Sequence, residues 1–109
     1  MIYELKKYTA HEGKYAALTA RFMQTTLPVF QRVGIEVAHV WTSPEEPGVF
    51  YYVTRFASQE ARAAAWAAFM ADPEWKEAKA RSEADGPLLA SQSTTLLQTA
   101  QFLPPGAHP

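Results

Sequence analysis

Cysteine is absent from the 109 residues, which removes disulfides, thiolate nucleophiles, iron–sulfur clusters and cysteine zinc sites together. An excess of one charge is also missing: ten basic residues face eleven acidic ones, a formal net charge of −1. No basic stripe exists to neutralise a phosphate backbone, so nucleic acid is not an expected partner. No apolar run approaches the length of a membrane span or a signal peptide. These absences lead us to expect a cytoplasmic protein with no membrane partner. Histidine is scarce, at three residues. His11 beside Glu12 and His108 near the end have no ligand partner at helical or hairpin spacing, so no metal site is expected. There is no Gly-rich phosphate loop, nucleophile elbow or Ser–His–Asp spacing, which removes kinase, nucleotide-binding and hydrolase-triad chemistry.

What is present is ordinary for a globular domain, with 48% hydrophobic and 19% charged residues, and somewhat rich in aromatics at 13%. A chain of this length supports one domain and buries roughly 60–70% of its unfolded surface. The expected domain is 1–103, with a Pro-rich tail at 104–109.

Alternation at a period of two predicts strands at Ile2–Tyr8, Ile35–Thr42, Val49–Phe56 and Leu88–Gln98. Ser43-Pro44-Glu45-Glu46-Pro47-Gly48 reads as the hairpin between the middle pair. Tyr15, Leu18, Phe22, Thr25 or Thr26, and Val29 recur at helical spacing, and Gly34 supplies a left-handed stop. Pro28 predicts a kink or break near Thr25–Leu27. Ser58 is a good N-cap for the alanine-rich run Ala61–Ala71. Asp72-Pro73-Glu74 opens a further short helix to about Ser82.

The order strand–helix–strand, taken twice, defines an α+β, ferredoxin-like βαββαβ fold: a four-stranded antiparallel sheet with helices on one face. Parity suggests that Leu5, Ala38, Val40, Tyr51, Val53 and Leu96 lie under the helices. The uncovered face would then carry Glu4, Lys6, His39, Trp41, Tyr52 and Thr54 beside Val37, Phe50 and Phe56. Such a face is too apolar for water, which predicts a homodimer with stacked sheets.

The residues also resemble a family. Tyr3-Glu4-Leu5-Lys6-Lys7-Tyr8-Thr9 followed by Glu12-Gly13-Lys14 is similar to the opening of NIPSNAP domains. So are Leu27-Pro28 with Gly34-Ile35, Val40-Trp41-Thr42, Trp66 with Ala71-Asp72-Pro73-Glu74-Trp75, and Leu96-Leu97 with Phe102-Leu103-Pro104. The most specific part is the Asp-Pro-Glu-Trp stretch in register with the upstream tryptophan. The resemblance implies the dimeric α/β-barrel superfamily, in which paired subunits enclose a cavity. Superfamily relatives include cofactor-free oxygenases and isomerases as well as haem enzymes. The haem branches usually place a ligating histidine on a helix; Ser58–Gly86 contains none, so no cofactor is expected.

Within that frame the candidate cavity wall is His39, Trp41, Tyr52 and Thr54, with His39 and Trp41 about 7 Å apart along one strand. His39 would relay a proton and Tyr52 would hold an enolate or phenolate oxygen. The plainer alternative has His39 hydrogen-bonding across the dimer seam. Glu4 is a candidate general base and Lys6 an anion anchor; the alternative pairs them as a buried salt bridge. The functional expectation is a small-molecule-binding homodimer, acting on an aromatic compound as a cofactor-independent oxygenase or isomerase. The alternative is a non-enzymatic interaction domain.

Overall fold

A computed structural model describes residues 1–102; the expected tail at 104–109 lies outside the described residues. Four strands form, β1 (Ile2–Ala10), β2 (Glu36–Thr42), β3 (Val49–Phe56) and β4 (Leu89–Gln98). They pair antiparallel in the order β2-β3-β1-β4. That order, with one helical segment after β1 and another after β3, is the ferredoxin-like arrangement.

The first helical segment is continuous but not uniform. Helix α1 (Tyr15–Arg21) passes through a π-helical turn at Phe22–Thr26 into α2 (Leu27–Val33). The π turn sits just before Pro28, where the missing N–H would have interrupted a regular ladder. Gly34, at φ 90°, ends α2 in the left-handed region that a side chain disfavours. The second segment is α3 (Gln59–Ala71) and α4 (Pro73–Ser82). Ser58 Oγ accepts from the Ala61 N–H to start α3. Asp72 accepts from the Trp75 N–H to start α4, with Pro73 in the first turn.

Helix α3 is mostly alanine, so large side chains of the sheet and of the other helical turns fill the core around it. Phe50, Tyr52 and Phe56 from β3 pack against Leu18, Phe22, Val29, Phe30, Phe69 and Trp75. For β1 and β3 this reverses the expected assignment of faces, while Leu96, opposite Glu4, stays on the helix side as expected. Phe50, Tyr52, Thr54 and Phe56 lie under the helices and are buried, as is Glu4 opposite Thr54. Leu5, Tyr51 and Val53 take the open face instead. The parity argument placed small apolar residues under the helices. The space beneath alanine-rich helices calls for large ones, and interior packing leaves few voids.

In β2 the parity itself breaks. Val37 pairs with Thr54 and His39 with Val53, leaving Ala38 as a bulge residue without a partner. One extra residue returns Val40 to the side of Val37, while His39 and Trp41 face outward beside Val53 and Tyr51.

Candidate functional site

Alternation along β1 sends Glu4, Lys6 and Tyr8 toward the helices at successive depths. Glu4 is completely buried. Its Oε1 accepts from Trp66 Nε1 at 2.5 Å and, more weakly, from Thr54 Oγ1 at 3.5 Å. Arg62 Nη2 stands 2.9 Å from Oε2, and Lys6 Nζ stands 3.9 Å from it. The arginine is close but off the hydrogen-bond line, so Oε2 has charged neighbours without a directional donor. Arg62 and Trp66 are four residues apart on α3, which puts both on the face that meets Glu4.

Lys6 projects past this cluster. Its Nζ donates to Thr94 Oγ1 at 2.8 Å and lies 4.6 Å from the centre of the Trp66 ring. Burial pushes the Lys6 ammonium below the ordinary lysine range, against the attraction of Glu4 and with the repulsion of Arg62. Two residues on, the Tyr8 hydroxyl meets the Tyr52 hydroxyl at 2.7 Å, with the rings edge to face. Burial raises both phenols, Tyr52 well above the usual tyrosine value, so the pair stays protonated at neutral pH.

Lys6, Tyr8 and Trp66 open onto a cavity of about 410 Å³ between the sheet and the helices. Phe22, Phe69 and Trp75 supply the rest of its aromatic wall. At the far side Arg21 stacks on Trp75, 4.9 Å from the ring centre, and donates to Glu83 Oε2 at 2.8 Å and Ser82 Oγ at 3.1 Å. The π turn places Phe22 and Thr26 against this space, in keeping with the frequent occurrence of such turns at functional sites.

The expected constellation is therefore divided by the sheet. Glu4, Lys6, Tyr52 and Thr54 stand on the helix side, whereas His39 and Trp41 lie tilted against each other on the open face, ring centres 4.6 Å apart. His39 does not share a cavity wall with Tyr52. Tyr8, Arg21, Arg62 and the pocket role of Trp66 and Trp75 were not singled out from sequence. One signal was available: Glu4 is the sole acid of β1, and Arg62 with Trp66 at i, i+4 offers it a cation and a donor. Among the described residues no group of three or more His, Asp or Glu side chains converges as a metal site would require. No helix among them is long and apolar enough to cross a membrane.

With this geometry in place, similarity fixes the class. The family model for NIPSNAP matches residues 3–104, and the chain belongs to the NIPSNAP family. A NIPSNAP domain protein of Burkholderia xenovorans superposes with a TM-score of 0.79 at 21% identity, covering 95% of this chain and 99% of that one. A NIPSNAP family protein of Agrobacterium tumefaciens gives 0.78 at 21% identity, covering 95% and 92%. Further away, a candidate antibiotic biosynthesis monooxygenase of Nitrosomonas europaea gives 0.65 at 12% identity, covering 91% and 98%. That likeness concerns the fold alone. No curated protein matches the chain.

Proposed function

We propose that the chain binds a small aromatic molecule in the pocket between its sheet and its helices. The observation that carries this reading is the cavity of about 410 Å³ walled by Tyr8, Phe22, Trp66, Phe69 and Trp75. Its volume falls in the range typical of small-molecule sites, which are mostly apolar with a few convergent polar groups. Lys6 and the Tyr8 hydroxyl, itself bonded to Tyr52 behind it, are such groups. In the catalytic form of the reading, a cofactor-independent isomerase or an oxygenase using dioxygen, the protonated Tyr8 hydroxyl donates a hydrogen bond to the oxygen of the bound molecule that gains charge. Because Trp66 and Trp75 both line the cavity, indole and naphthalene derivatives titrated into the protein should change tryptophan fluorescence and raise Tm. A panel of neutral and acidic aromatics that does neither removes the reading.

The open face supports a second element of the proposal, a homodimer. Trp41 is 44% and Leu97 46% exposed there, beside Tyr3, Leu5 and Val53. The Arg55–Glu36 and Lys7–Glu46 ion pairs add both charge signs to this face. A patch carrying its own complement suits an isologous contact with a second copy. In the non-enzymatic alternative this face carries the whole function. A solution mass near twice 12.1 kDa is expected; a monomer at micromolar concentration in mild salt would remove the dimer. A cytoplasmic location is part of the proposal, and the lack of cysteine is compatible with it.

A further inference from the structure

The charges around the pocket do not balance. Glu4 is shared by Lys6 and Arg62, and Glu83 is shared by Arg21 and Lys79. Each cluster holds two cations against one carboxylate and so keeps a net charge of about +1 at neutral pH. Among the described residues lining the cavity, Glu83 is the only acid, against Lys6, Arg21 and Lys79. The two clusters are not equally wet. Lys79 is half exposed and is relieved by water, whereas the Lys6 side chain is only 12% exposed. The nearest carboxylate is also imperfectly available to Lys6, being 3.9 Å away and closer to Arg62. A largely sheltered cation with a neutral acceptor at 2.8 Å but no carboxylate in close contact favours an added anion, and the space beside it is the cavity.

We propose that the aromatic ligand of this pocket is an anion, bearing a carboxylate or an ionised phenol or enol, and that Lys6 is its counter-ion. The inference rests on the pocket reading above and narrows it to a ligand class. The aromatic body packs against Trp66, Phe69 and Trp75, and the acidic oxygen meets the Lys6 ammonium. Tyr8 adds a donor: if Tyr52 donates to the Tyr8 oxygen, the Tyr8 proton is free to point at the ligand. Glu4 does not contact the ligand; with Thr94 and the Trp66 ring it fixes where the Lys6 ammonium sits.

The test compares 2-naphthoate with its neutral counterpart 2-naphthamide, titrated into the full chain by calorimetry or tryptophan fluorescence. Naphthoate should bind wild type at least about tenfold more tightly, the usual scale for a charge-assisted contact. Lys6→Met should erase that preference, costing naphthoate at least about tenfold more affinity than it costs naphthamide, and Lys6→Arg should largely keep it. On wild type, naphthoate affinity should begin to fall below the ordinary lysine pH range while naphthamide affinity stays flat. That profile identifies Lys6 even if Lys6→Met does not fold. Equal binding of acid and amide overturns the anion assignment and leaves the aromatic pocket standing. Failure of both to bind overturns the pocket as well. A preference that survives in Lys6→Met shows that another cation is the counter-ion and also overturns the proposal.

Discussion

The two faces of the sheet solve opposite problems. The helix-covered face sets a carboxylate, a lysine, a threonine and two phenols among aromatic rings: Trp66 of α3 donates to Glu4, Thr94 of β4 accepts from Lys6, and the two phenols bond each other. The open face is made of ordinary apolar and amphipathic residues, Leu5, Val53, Trp41 and Leu97, left in contact with solvent in the single chain. The inner face thus sets polar groups into an apolar core, while the outer face leaves apolar residues beside its ion pairs. Buried polar networks cost stability unless they are fully partnered, so the inner face marks where this fold departs from mere packing. The outer face marks where it expects cover.

The largest effect that would test the contrast belongs to Glu4. Removing its carboxylate leaves Arg62 and Lys6 facing each other and the Trp66 N–H without an acceptor. Glu4→Ala should lose about 3–5 kcal/mol in urea denaturation, and a loss under about 1 kcal/mol would mean that the inner network is not a stability determinant. On the outer face, Trp41→Ala should leave far-UV circular dichroism intact yet weaken self-association by about 2 kcal/mol or more, as an exposed aromatic anchor should. Sedimentation reads this directly, and an unchanged association constant would move the interface elsewhere. Ser58→Ala should cost about 1 kcal/mol through the lost cap of α3, with no change in either ligand binding or mass.

The smallest effect is one of pH. The Trp75 backbone N–H and then Arg32 hold the Asp72 carboxyl below its usual range. A folded-state value below the unfolded one gives a contribution that is complete above about pH 4 and is lost as the pH falls through the folded value. Asp72→Asn keeps a good N-cap and should flatten the loss of stability between pH 5 and pH 3. Parallel acid limbs for the two proteins would show that Asp72 contributes no pH dependence.

Element order and most element ends were readable because they rest on local chemistry. Ser58, Asp72-Pro73 and Gly34 act through the backbone within a few residues, and each caps a helix where the sequence placed it. The buried stripe of Leu18, Phe22, Thr26 and Val29 follows from helical spacing alone. Which side of the sheet meets those helices was not readable in the same way. A period of two sorts a strand into two sets and leaves their naming open. The choice turned on how much volume the helices supply, and on Glu4, whose burial is tolerable only because Arg62 and Trp66 arrive from more than fifty residues away. The bulge at Ala38 then regrouped β2, and no feature of its own seven residues announces it.

By itself, then, the sequence determined four strands, their connections and the caps, since all of these depend on neighbours along the chain. Only the tertiary structure decided which set is inside, where the cavity opens and which charges surround it. Those depend on long-range packing and on the balance between desolvation and pairing, and neither exists until the helices settle on the sheet.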